Sequence, residues 1–193
     1  MATKLPTVAI IGRANAGKSS LFNRMMRSQQ AIVAREAGTT RDRVVGKAAY
    51  HGHEFWLVDT AGLKPAEDEF EASIQEQITD ASDAADVILV VVDSTEYPSD
   101  EDRRVAKTAL KSRKPVILIT NKTDLRGSLP TSEFLRLGIK SIIRTSAEHN
   151  SGISDALDEI CQHIPEKRQA EPSDVLKIAL IGRPNVGKSS LFN

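Results

Sequence analysis

Apolar residues come along this chain in short bursts of two kinds, and the two kinds alternate. Residues 8–11 form a continuous apolar run of strand length. Leu21, Phe22 and Met25 then recur at helical spacing. Residues 28–42 sustain no period and read as a long mobile loop. Residues 44–50 and 54–58 suit two strands joined through His51-Gly52-His53, an antiparallel hairpin. Residues 63–70 are polar and contain Pro65, so a second loop is expected, followed by a helix over 71–84. Residues 87–92 are wholly apolar and rich in β-branched side chains, the pattern of a strand buried on both faces. A helix over 100–110 opens with acids, which suit its positive end, and turns Val105, Ala106, Ala109 and Leu110 inward. A buried strand over 116–120, a short helix over 132–137 and a short strand over 141–144 follow. Ile153, Leu157, Ile160, Cys161 and Ile164 then share one helical face.

Strands alternating with helices predict an α/β fold with a parallel sheet and right-handed crossovers. Ligands in such sheets bind at the carboxyl ends of the strands. The stretch PEKRQAEPSD is polar, has two prolines and reads as a linker. Beyond it the beginning of the chain returns: residues 179–193 repeat residues 9–23 with three substitutions in fifteen positions. The expected organisation is a first domain over 1–165, a linker over 166–174 and the start of a second domain over 175–193. Asn193 falls inside that second copy's first helix, as a fragment boundary would.

Composition narrows the classes. Of 193 residues, 40% are hydrophobic and 27% charged, with zero net charge, which suits a soluble globular chain. Neutrality argues against broad non-specific nucleic-acid binding, while leaving room for a local basic patch. The single cysteine, Cys161, cannot form an internal disulfide, fits a reducing compartment and reads as buried filler. No apolar stretch approaches membrane-spanning length, and the first strand begins too early to leave room for a signal peptide. His51, His53, His149 and His163 show no metal spacing and read as surface residues, and Tyr50, Phe55 and Trp56 as core packing.

The chemistry lies in four stretches, each at the end of an expected strand. Residues 12–19, GRANAGKS, fit G-x-x-x-x-G-K-[ST] between a strand and a helix. There the glycines let backbone N–H groups curl around an anion, and the helix aims its positive end at the same point. Lys18 adds charge for outer phosphates, and the Ser19 hydroxyl is a hard oxygen ligand for Mg²⁺. Asp59-Thr60-Ala61-Gly62 supplies a carboxylate that can hold Mg²⁺ opposite Ser19, and a glycine whose N–H can approach a γ-phosphate. In Asn121-Lys122-Thr123-Asp124 the Asp124 carboxylate can accept both N1–H and the 2-amino group of guanine, where adenine would offer an acceptor. The Lys122 stem can lie over the purine, and Asn121 can tie this loop to the phosphate loop. Thr145-Ser146-Ala147 places the Ala147 N–H to meet guanine O6.

Over residues 5 to 165 the sequence resembles the P-loop GTPases, in the branch that holds MnmE, Era and Der. The resemblance rests on GRANAGKS, GTTRD, DTAG, NKTD and TSA, in that order. The second copy, GRPNVGKSSLFN, narrows it to the Der (EngA) family, whose members carry two G domains joined by a short polar linker. The resemblance implies a six-stranded, mostly parallel, doubly wound sheet with one antiparallel edge strand. It implies GTP hydrolysis with Mg²⁺, and a role in assembling the large ribosomal subunit in the bacterial cytoplasm. The implied nucleotide contacts are Gly12, Asn15, Ala16, Gly17, Lys18, Ser19, Ser20, Asn121, Lys122, Asp124, Ser146 and Ala147. Mg²⁺ would be held by Ser19, Thr40 and Asp59, with Lys18, Thr40, Gly62 and Asn15 serving catalysis. Relatives with Asn at the position of Asn15 are potassium-stimulated, so Asn15 is the expected K⁺ ligand. The chain departs from the family pattern at Ala14, at Arg35-Glu36-Ala37 and in reading D-T-A-G for D-T-G-G. Leu63 stands where many GTPases carry a water-orienting Gln, so slow intrinsic turnover is expected. The alternative reading is a GTP/GDP sensor that acts through a partner surface with negligible hydrolysis. An ATP-using protein is a weaker third reading, against which Asp124 argues.

Overall fold

A computed structural model describes residues 5–28, 44–59, 81 and 84–166. The two expected loops around 28–42 and 63–70, most of the helix over 71–84, the linker beyond residue 166 and the second copy over 175–193 lie outside the described residues. So do Thr40 and Gly62.

Six strands form one sheet: β1 (Thr7–Ile11), β2 (Val44–Tyr50), β3 (His53–Asp59), β4 (Val87–Asp93), β5 (Val116–Asn121) and β6 (Ser141–Arg144). Their spatial order is β2-β3-β1-β4-β5-β6, and every pair is parallel except β2 with β3. The mostly parallel sheet with one antiparallel edge strand is therefore as the sequence implies. Alternation along the strands splits the core in two. Val8, Ile10, Val87, Leu89, Val91, Ile117 and Ile119 pack with α1 (Lys18–Arg27) and α3 (Ile153–Cys161) on one face. Ala9, Ile11, Ile88, Val90, Val92 and Leu118 pack on the other with α2 (Asp100–Lys111) and a 3₁₀ helix over Thr131–Leu137. β4 is buried at all seven positions because helices cover both of its faces, hence its unbroken apolar run. Among the described residues no helix is long and apolar enough to cross a membrane.

Three residues differ from the sequence reading. β3 begins at His53, one residue earlier than expected, because a two-residue turn at His51 and Gly52 pairs Tyr50 directly with His53. His53 thereby joins the inward row of Phe55 and Leu57 and is buried rather than on the surface. Its Nδ1 lies 3.1 Å from the Ile164 carbonyl, so the tautomer protonated at Nδ1 donates there. Leu110 sits at the end of the α2 stripe but is 42% exposed, at the rim where α2 meets the 3₁₀ helix. Cys161 is partly buried rather than fully so. Its Sγ donates to the Tyr50 carbonyl at 3.8 Å, and burial, with Asp158 nearby, pushes the thiol up to about 11.

Candidate nucleotide site

The phosphate loop exists because two glycines let it pass where no side chain fits. A Cβ on Gly12 would stand 2.3 Å from the Val91 carbonyl oxygen of the neighbouring strand. One on Gly17, at φ +93°, would stand 2.2 Å from the Asn121 amide nitrogen. Gly17 is also the N-cap of α1, and it leaves the first turn with neither a capping side chain nor an acid. The contrast with α2 is direct. There Ser99 and Asp102 form a reciprocal capping box behind three acidic residues. The N-terminal N–H groups of α1 are thus left for a ligand of negative charge, and the exposed Ser19 and Ser20 stand beside them.

Lys18 is buried, and its Nζ donates to the carbonyls of Gly12 at 2.8 Å and Arg13 at 2.7 Å. Burial lowers the ammonium's pKa, with the charges of Asp59 and Glu101 opposing. Asp59 is itself buried at the carboxyl end of β3, in register with Ile10. The structure therefore brings Lys18, Ser19 and Asp59 to one end of the sheet.

Asn121 joins this corner to the rest. Its amide nitrogen donates to the Ala16 carbonyl at 3.3 Å. Its Oδ1 accepts from the Thr145 hydroxyl and the Ala147 N–H, each at 3.1 Å. The sequence reading gave that N–H to a guanine O6, whereas here the loop itself takes it up. Thr123 binds the Thr145 carbonyl through both its N–H and its hydroxyl, at 3.1 and 3.0 Å. Asp124 lies beside Ser146, whose hydrogen bond is the main influence holding the carboxyl below its usual range. His149 Nε2 is 3.6 Å away.

Three residues that the sequence reading passed over complete the site. Asp93, in register with Asn121, accepts from Lys122 Nζ at 2.6 Å and from the Thr95 N–H and hydroxyl at 2.9 and 2.7 Å. Burial pushes its carboxyl up, but Lys122 and Thr95 outweigh that and hold it below the ordinary range. The same bond fixes the Lys122 stem. Arg24, near the end of α1, donates through Nε to the Ala147 carbonyl and through Nη2 to the Glu148 carbonyl, both at 2.6 Å. Arg13 pairs with Glu96 at 2.5 Å and lies 3.6 Å from the buried Asp102 of α2. Asp93 could have been found by the rule that singled out Asp59, a carboxylate closing an apolar strand. No sequence signal marks Arg24 or Arg13, whose partners are distant in the chain.

A loop shaped for phosphates, a lysine held in it, and a polar loop tied to it through one asparagine define a nucleotide-binding G domain of the P-loop GTPase class. The family described as 50S ribosome-binding GTPase matches residues 7–122 and, a second time, 177–193, and the chain belongs to that family. It is similar to GTPase Der of Gemmatimonas aurantiaca, 44% identical over 192 residues covering 98% of this chain and 43% of the relative. It is likewise similar to GTPase Der of Herpetosiphon aurantiacus, 45% identical over 197 residues covering 97% and 43%. The chain thus spans less than half the length of these curated relatives. Among solved structures, a variant of Aquifex aeolicus Era bound to GDP·AlF4⁻ superposes with a TM-score of 0.65 at 27% identity, covering 92% of this chain and 63% of that one. The G domain of the T. maritima FeoB iron transporter gives 0.62 at 25% identity, covering 83% and 99%.

Proposed function

We propose that this G domain binds GTP with Mg²⁺ and hydrolyses it slowly to GDP and phosphate, as a switch in assembly of the large ribosomal subunit in the cytoplasm. The observation that carries the reading is the three-way attachment of Asn121, which makes the phosphate loop and the two base loops one site. Phosphates fit the uncapped N-terminus of α1, where Lys18 can exchange its two carbonyl bonds for phosphate oxygens. The base fits between Lys122, held from behind by Asp93, and the Asp124 carboxylate; its O6 would share the Ala147 N–H with Asn121. Discrimination against adenine follows because a carboxylate facing another acceptor loses about 1–3 kcal/mol or more.

The donor set fits a hard cation. Ser19 and Asp59 offer oxygen, and no group of three or more His, Cys, Asp or Glu stands together among the described residues. A Mg²⁺ ion would therefore take the rest of its shell from the nucleotide and water, with Thr40 added in the GTP state. When bound, it neutralises phosphate charge. Asn15 has a left-handed backbone, φ 62°, and no hydrogen bond holds its side chain among the described residues, so its oxygen is available to K⁺.

Guanine recognition is tested with Asp124→Asn. The variant should lose GTP and gain XTP, whose O2 accepts from the new amide. Full retention of GTP preference over XTP would defeat the assignment. Leu63, which cannot orient a water, is equally compatible with a second reading, a sensor with negligible hydrolysis of its own. Single-turnover rates with and without purified large subunits separate the two.

A further inference from the structure

The chain is neutral overall, but its charge is not evenly spread. On the sheet face away from α1, α2 and the 3₁₀ helix enclose a groove of about 430 Å³ lined by Arg103, Lys107, Leu110, Lys111, Arg136 and Leu137. All four cations are exposed. Arg103 is paired with Asp100, whereas Lys107, Lys111 and Arg136 make no ion pair or hydrogen bond among the described residues. Arg103, Lys107 and Lys111 follow one another at i, i+4 and i+8, a straight line of charge along α2 with steps of about 6 Å. Arg136 faces that line from the other wall, Leu110 supplies an apolar rim, and the buried Leu137 lies beneath.

We infer that this groove docks the phosphate backbone of RNA. Three cations without partners among the described residues, gathered around one concavity, suit an anion that relieves their mutual repulsion. A line of evenly stepped charge suits a polyanion whose charges repeat along its length, more than an acidic protein whose carboxylates come at irregular places. An arginine fork opposite the line adds bidentate phosphate recognition, and the part-exposed Leu110 gives a sugar an apolar surface to rest on. The choice of RNA over other polyanions rests on the ribosomal reading proposed above. Nothing in the nucleotide site is used by this surface: its six residues touch none of the phosphate or base loops' bonds described earlier.

The test is fluorescence anisotropy of the GDP-bound chain with a labelled single-stranded RNA about 20 nucleotides long, across about 50–200 mM salt. Lys107→Ala, Lys111→Ala and Arg136→Ala together should weaken binding at least ~10-fold and lower the slope of log affinity against log salt by ~2, about 0.7 per lost phosphate contact. Arg104→Ala, removing an exposed cation of α2 outside the groove, should keep the slope of the unaltered chain. Fluorescent GDP should bind all three proteins equally. Unchanged RNA affinity and slope in the triple variant would overturn the inference, as would no RNA binding by the unaltered chain. Polyglutamate that displaced the RNA as well as unlabelled RNA does would assign the groove to an acidic protein and overturn it too. Co-sedimentation with purified large subunits keeps the two readings apart. If the subunits fail to retain the chain although the groove binds RNA, the ribosomal reading fails and the groove stands. If they retain chain and triple variant alike, with the RNA slope unmoved, the groove fails and the ribosomal reading stands.

Discussion

Arg24 offers a sharp test of how the base-reading loop is held, because it acts on that loop from a helix whose other end carries the phosphate loop. Its guanidinium makes two 2.6 Å bonds, to the Ala147 and Glu148 carbonyls. A hydrogen bond to a charged group contributes about 1.5–3 kcal/mol. One of these two is exposed, and in Arg24→Ala both carbonyls can turn to water, so the pair is worth about 2 kcal/mol rather than the sum of two full bonds. The 146–148 turn must be in place before a base can be read, so this energy passes into nucleotide affinity. At about 1.4 kcal/mol per tenfold, GDP should bind ~30-fold more weakly. Arg24→Lys keeps the charge but not the fork, and can reach one carbonyl at a time; it should recover about half the energy, leaving a ~5-fold deficit. The assay is isothermal titration of the nucleotide-free chain with GDP, beside urea unfolding of the same variants. An alanine variant whose GDP affinity stays within about twofold would refute the reasoning, because the fork would then be a surface contact that the loop does not need.

Three further outcomes follow. Asp124→Asn should exchange GTP for XTP preference in nucleotide competition. The intact chain should hydrolyse GTP faster in K⁺ than in Na⁺ at equal ionic strength, with the difference lost in Asn15→Ala while affinity stays within a few-fold; equal rates in the two salts would remove K⁺ from the mechanism. Asp93 has a folded pKa below its ordinary value of 3.8, so its pairing with Lys122 contributes fully above about pH 4 and is lost as pH falls through the lower folded value. Asp93→Asn should therefore cost about 1 kcal/mol at neutral pH in thermal unfolding, and that cost should shrink on acidification; a pH-independent cost would mean the ion pair is not what Asp93 supplies.

The central strands were legible because burial on both faces leaves an unmistakable mark, an unbroken apolar run of six residues in β4 and of four in β5. The phosphate loop was legible because its constraints are local: a glycine at each end, then lysine and serine entering a helix. What escaped was set by neighbours far along the chain. His53 reads as a turn residue until the hairpin closes on two residues and the Ile164 carbonyl arrives to accept its hydrogen bond. Leu110 fits the inward stripe of α2, and only the placement of the 3₁₀ helix leaves it at a groove's rim. Arg24 looks like an ordinary cation at a helix C-terminus, its partners lying more than 120 residues away. The basic groove was hidden for another reason. Summed over the chain its charges cancel; Arg103, Lys107 and Lys111 line up on one helix, but only the fold brings Arg136 to face them.

The three bonds of Asn121 have a consequence for how the domain comes apart. Local opening proceeds in cooperative units, each with its own free energy. A side chain that holds the phosphate loop at Ala16 and the last loop at Thr145 and Ala147 makes those segments one such unit, although more than 120 residues separate them. The Ala147 amide is protected by Asn121 alone among the bonds described, so its hydrogen exchange reports the opening of the whole assembly. The rate at which that one amide exchanges should then track the rate at which the domain can let go of a nucleotide.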